Sequence, residues 1–180
     1  MRGAGEQRGH ARPITHQIRL RGVIQGGEFD YARESMVDRF HYVAPKIEVV
    51  SIGAGGGSIV SLDPRTNVPI VGPKSAGAQP GPICYGQSGE EPSITDALVH
   101  LGWIRPQRFL GGRMTLEPAR ADTALDRLAD PLGQDRSQTA QAMIDIGVAH
   151  VSRGVRMVSV QRGYDPKGYV FYAYGGAGPL

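Results

Sequence analysis

Two short apolar runs along the chain empty into glycine clusters. Ile47-Glu48-Val49-Val50-Ser51-Ile52 leads into Gly53-Ala54-Gly55-Gly56-Gly57-Ser58, and Tyr169-Val170-Phe171-Tyr172-Ala173-Tyr174 leads into Gly175-Gly176-Ala177-Gly178-Pro179. Both runs are rich in β-branched or aromatic residues and read as buried strands. Residues 42–52 thus predict one strand and Ser58–Leu62 a second. Asp63-Pro64-Arg65-Thr66-Asn67 predicts a turn. Val68-Pro69-Ile70-Val71 returns as a hairpin edge strand, where a proline is tolerated. Residues 72–93, with small residues at nearly every position, predict a long, tightly laid loop.

Helical signals follow. Ser93 or Thr95 caps a short helix over Asp96–Leu101. Glu117-Pro118 opens a helix through Ala129, with proline in the first turn, where a missing N–H costs nothing. Ser137 caps the longest helix, to about Met157. Its Ala140, Met143, Ile144, Gly147, Val148 and Val151 recur at i, i+3, i+4, i+7 spacing and predict a stripe that packs into the core. Strands and helices are mixed, which places the chain in the α/β class. Residues 1–41 carry no sustained period and form a poorly specified N-terminal segment. Residues 42–180 carry the organisation.

Composition sharpens the reading of the glycines. They number 26 in 180 residues, roughly twice ordinary usage. A strand ending in glycines brings bare backbone to the mouth of a sheet, where N–H groups can approach a phosphate unobstructed. Two such mouths suggest one ligand crevice at the carboxyl ends of strands. The first cluster is not a dinucleotide fingerprint, because Ser58 stands where G-x-G-x-x-G needs its third glycine and a strand, not a helix, follows. No G-x-x-x-x-G-K-[ST] pattern occurs either. On the residues alone, a glycine-lined bulge where two elements cross closely is an equal reading of Gly53–Ser58.

Among acidic residues, Asp96 stands out, directly after a Gly/Pro loop at a helix start. An aspartate there can hold a metal or orient a water, or it can cap the helix and complement its dipole. Cys84 is the only cysteine. It has no histidine near it in sequence to activate it, so a small buried thiol is the plainer reading. One cysteine permits no intramolecular disulfide and suits a reducing, cytoplasmic compartment. His10, His16, His41, His100 and His150 show no paired metal spacing, and metal ligands stay unassigned. Five arginines against one glutamate fall within residues 1–21, so the net charge of +3 leaves the rest close to neutral. That argues against nucleic acid as a partner. No apolar run approaches about 18 residues, so no membrane span is expected.

Longer motifs then carry a resemblance. Val50-Ser51-Ile52-Gly53-Ala54-Gly55-Gly56-Gly57-Ser58-Ile59 and Val71-Gly72-Pro73-Lys74-Ser75-Ala76-Gly77-Ala78-Gln79-Pro80-Gly81-Pro82-Ile83-Cys84-Tyr85-Gly86 resemble the hydantoinase A/5-oxoprolinase family. Ser93-Ile94-Thr95-Asp96-Ala97, Phe109-Leu110-Gly111-Gly112-Arg113-Met114, Arg162-Gly163-Tyr164-Asp165-Pro166 and Gly175-Gly176-Ala177-Gly178-Pro179-Leu180 agree in order. The resemblance implies part of an actin-like ATPase (RNase H-like) fold. It implies use of ATP and Mg²⁺ to activate a carbonyl and open cyclic amides of the hydantoin or 5-oxoproline type. The alternative is a nucleotide-binding or assembly subunit of an acetone carboxylase-like complex. By the same resemblance Gly175, Gly176, Ala177 and Gly178 face the adenine nucleotide. Gly53, Gly55, Gly56, Gly57 and Ser58 line the crevice near its phosphates, Asp96 is the catalytic candidate, and a hydantoinase B-type subunit is the partner. The family's Asp-x-Gly-Gly-Thr and Gly-Gly-Thr-Ser-x-Asp loops have no counterpart here, so residues 42–180 are expected to be the central part of a longer domain.

Overall fold

The computed structural model describes residues 51–173 and, before them, only the backbone of short strands. These are β1 (Arg19–Arg21), β2 (Ile24–Gln25), β3 (Glu28–Phe29), β4 (Ser35–Val37), β5 (Phe40–Tyr42) and β6 (Val49–Ser51). They pair antiparallel as β1 with β6, β2 with β3, and β4 with β5. Of the predicted strand over 42–52, Tyr42 ends β5, β6 holds Val49–Ser51, Ile52 lies past the strand end, and residues 43–48 lie outside the described residues.

β7 (Ser58–Leu62) and β8 (Pro69–Ser75) form the predicted hairpin, with Val60 opposite Val71 and Leu62 opposite Pro69. Its turn is chemistry legible in the residues. The Asp63 carboxylate accepts from the amides of Arg65 and Thr66, both at 2.9 Å, and Asn67 takes a positive φ of 54°, which asparagine tolerates. The returning strand runs on to Ser75, so the loop begins later than position 72. That loop is ordered, as expected, and its ties explain why. Arg120 and Arg127 donate to the carbonyls of Gln87 and Glu90. Pro92 and Ser93 then come back along the free edge of β7, with Val60 N–H donating to Pro92 O at 2.8 Å.

Three helices cover the hairpin: α1 (Ile94–His100), α2 (Pro118–Leu132) and α3 (Arg136–Val158). The helix predicted to stop at Ala129 continues through Pro131. A proline in the last turn forfeits one ladder bond only, and the helix ends on left-handed Gly133 at φ 61°. The cap of α3 is Asp135, not Ser137. The Asp135 carboxylate accepts from Gln138 N–H at 2.7 Å while the Gln138 side chain accepts from Asp135 N–H, a reciprocal pair that satisfies two orphan amides. Val60, Val71, Leu98, Leu125, Ala140 and Met143 meet in the core. Val148 does not join them and is 54% exposed, because it lies at the edge of the apolar arc whose centre is Ala140, Ile144 and Gly147. Thr139 Oγ1 is buried there with no hydrogen-bond partner among the described residues. Thr139→Val keeps the shape and removes the orphaned hydroxyl, so urea unfolding should show a gain of about 1 kcal/mol.

An ionic array ties the helices outside the core. His100 Nδ1 lies 2.8 Å from Asp122 Oδ1 and His100 Nε2 lies 3.1 Å from Ser137 Oγ. Arg136 forks onto Asp126 at 2.8 and 2.6 Å and reaches Asp122 at 3.1 Å. The order serine, histidine, aspartate is that of a nucleophilic relay, but Ser137 is exposed on the first turn of α3 and its work is to join α3 to α1. The hydrogen bond from Arg136, more than its charge, holds the Asp126 carboxyl below its usual value. A depressed folded value stabilises above the unfolded value of about 4 and is lost as pH falls below it. An acid titration of stability should therefore be steeper in the wild type than in Arg136→Gln.

The predicted closing strand is not formed. Tyr169–Ala173 have no ladder partner among the described residues, and Val170, Phe171 and Tyr172 are 89%, 66% and 82% exposed. Strand propensity reflects fit to a pleated, half-covered surface, and no neighbouring strand among the described residues supplies one. Tyr174 lies outside the described residues. No helix among the described residues is long and apolar enough to cross a membrane.

Candidate functional site

The glycine loop at 53–57 connects β6 to β7 and lies against the first turn of α1. Three of its carbonyls, those of Gly55, Gly56 and Gly57, are tied into the protein. Gly55 O accepts from Ser58 N–H at 2.9 Å, Gly56 O from Thr95 N–H at 2.8 Å, and Gly57 O from Ala76 N–H at 2.8 Å. The Thr95 hydroxyl donates to the same Gly56 oxygen at 2.8 Å. Ser58 Oγ accepts from Gly55 N–H at 2.9 Å. Among the described residues, the amides of Gly55 and Ser58 have acceptors and those of Gly56 and Gly57 do not. A stretch with three consecutive engaged carbonyls and two consecutive amides that lack acceptors is polarised toward an anion.

The loop is also the close crossing that the residues allowed for. A Cβ on Gly72 would stand 2.3 Å from Gly53 O, and one on Gly53 would stand 3.1 Å from the Pro73 side chain. Gly72 further has φ +67°, a left-handed conformation that costs a side chain about 1–2 kcal/mol. The two readings of Gly53–Ser58 are therefore compatible. The crossing fixes the loop, in which Gly56 is half-buried and Gly57 is buried.

Asp96 sits one residue from Thr95 and turns the other way. Its carboxylate is fully buried. It accepts from Ser93 N–H at 2.8 Å, Ser93 Oγ at 2.7 Å, Cys84 N–H at 2.7 Å and Ile83 N–H at 3.4 Å. Four protein donors occupy it, so its task in this geometry is to hold the start of α1 against the 83–85 turn. Cys84 is fully buried beside it. Burial, and then the negative charge of Asp96, push the thiol well above its ordinary value, the surroundings of a structural rather than an activated cysteine. Tyr85 is raised for the same first reason and packs on Phe109 with ring centroids 5.4 Å apart.

The structure thus brings Gly53–Ser58 and α1 together. Gly175, Gly176, Ala177 and Gly178 lie outside the described residues. Two participants were not singled out from the sequence for the roles they take: Thr95, read only as a cap, and Gly72, read only as loop. Positions 39 and 19 residues from their partners leave no local signal of contact.

A model of the hydantoinase/oxoprolinase family matches residues 22–180. The chain is 40% identical over 156 residues to the caprolactamase subunit alpha of Pseudomonas jessenii, covering 86% of this chain and 22% of that protein. It is 37% identical over 158 residues to the acetophenone carboxylase gamma subunit of Aromatoleum aromaticum, covering 87% and 22%. Among solved structures it resembles nucleotide-free acetone carboxylase, an ATP-dependent enzyme, with a TM-score of 0.78 at 31% identity, over 92% of this chain and 25% of that one. The chain spans about a fifth of the length of these relatives.

Proposed function

The chain belongs to the hydantoinase/oxoprolinase family, and from that premise we propose that it supplies the phosphate-facing part of an ATP-dependent enzyme that opens cyclic amides. The supporting observation is the polarised loop: Gly55, Gly56 and Gly57 turn their carbonyls into the protein and leave the amides of Gly56 and Gly57 for an anion. In this reading Gly53–Ser58 line the crevice of an actin-like ATPase fold, and Gly175, Gly176, Ala177 and Gly178 complete it on the adenine side. Bound ATP supplies a phosphoryl group that makes an amide carbonyl oxygen a competent leaving group. Backbone N–H groups suit that chemistry because they stabilise negative charge without reorganising. Mg²⁺ would be held through the triphosphate oxygens and would offset their charge; Asp96, engaged by four protein donors, is not assigned to it. Asp96 then serves the site by positioning α1 rather than by touching substrate.

The likeness to acetone carboxylase favours a second reading, a nucleotide-binding subunit within a carboxylase-like complex. Both readings place the chain in the cytoplasm beside a hydantoinase B-type subunit. Purified chain, alone and with such a subunit, should be given MgATP with a hydantoin, 5-oxoproline or a lactam, and separately with a ketone and bicarbonate, and phosphate release measured. Release dependent on a cyclic amide supports the hydrolase. Release dependent on a ketone and bicarbonate supports the carboxylase. Absence of nucleotide binding by the chain overturns both.

A further inference from the structure

We propose that Thr95 is the positioning residue of the glycine loop, the side chain that fixes the direction of its anion-binding amides; this rests on the nucleotide role proposed for that loop. Thr95 grips a single atom twice, its N–H and its Oγ1 both lying 2.8 Å from Gly56 O. A planar trans peptide points its carbonyl and its following N–H in opposite directions. Holding Gly56 O toward α1 therefore fixes the Gly57 N–H on the far side. Glycine peptides rotate readily when nothing holds them, and Gly56 has glycine on both sides. Ala76 and Ser58 fix the neighbouring carbonyls of Gly57 and Gly55, so Thr95 completes a set of three clamps.

The helix does not need this hydroxyl for itself. Ser93 and Asp96 already close the start of α1 through Ser93 N–H and Oγ. Thr95 is 6% exposed, so its Oγ1 is committed to the loop and not to water. The ligand class that the clamp serves is a phosphate-bearing nucleotide, whose oxygens accept from consecutive amides.

The test compares the full wild-type chain with Thr95→Val and Thr95→Ser. MgATP affinity is read by calorimetry and thermal stability by circular dichroism. Thr95→Val keeps shape and main chain and loses one grip on Gly56 O. Affinity should fall about tenfold, and Thr95→Ser should restore it. In the wild type, MgATP should displace the Gly57 amide resonance in a ¹H–¹⁵N spectrum, which keeps the proposal open to refutation even if Thr95→Val does not fold. Binding equal in wild type and Thr95→Val overturns the positioning role and leaves the loop's proposed function standing. Equal weakening in both variants also overturns it, because packing rather than the hydroxyl then matters. So does nucleotide binding with an undisturbed Gly57 amide. A wild type that binds no MgATP removes the proposed function and this inference together.

Discussion

Asp96→Ala is expected to leave the chain largely unfolded. The carboxylate is fully buried and receives four donors from two separate stretches: Ile83 and Cys84 in the short turn, and Ser93 at the start of α1. Alanine leaves those donors buried without partners. Each such loss costs about 1–3 kcal/mol, and the helix cap adds about 1, so the total is on the order of 4 kcal/mol or more. Domains hold only about 5–15 kcal/mol in reserve. Asp96→Asn should be milder, at about 2 kcal/mol, because its carbonyl keeps Cys84 N–H while its amide opposes the donors of Ser93. Urea midpoints read at constant slope would show the order wild type, Asn, Ala. A purely catalytic aspartate would give the opposite pattern, with activity lost and stability kept or improved. If Asp96→Ala unfolds at the wild-type midpoint, the structural role assigned to this carboxylate is wrong.

What the sequence made legible follows from the range of the interactions. The β7–β8 hairpin, with Asp63 and Asn67 at its turn, and the opening of α2 at Glu117-Pro118 are decided within a few residues, and they stand where the residues place them. The cap of α3 was misplaced by two positions because Ser137 and Asp135 both carry capping side chains. Only the reciprocal bond with Gln138 decides between them. The strand expected at 169–174 had the right propensity and no partner among the described residues. At the candidate site, the glycine loop was visible as composition. Its polarity was not, because that is set by Thr95 and Ala76 from other elements. Asp96 was visible as an acidic residue at a helix start. Whether it faced outward or inward was settled by Cys84 and Ile83, more than ten residues away in the chain.

Gly72→Ala is expected to damage loop and hairpin together. A methyl group at this position would meet Gly53 O at 2.3 Å. That neighbour is main chain, so no side-chain rotation can relieve the overlap. The position also holds φ +67°, which costs alanine about 1–2 kcal/mol before any clash, and overpacking adds about 1–3. A total of about 3 kcal/mol is therefore expected in urea unfolding. The relief available is a shift of Gly53 away from β8, and that carries the 53–57 loop off the grip of Thr95. Nucleotide affinity should then fall further in Gly72→Ala than in Thr95→Val, since every clamp on the loop moves instead of one. Gly133 is the matched control. It has the same sign of φ, at +61°, but open space around its Cβ position, so Gly133→Ala should cost only the conformational share and leave nucleotide affinity unchanged. Equal losses of affinity at the two glycines would mean that the crossing of Gly72 over Gly53 does not shape the loop.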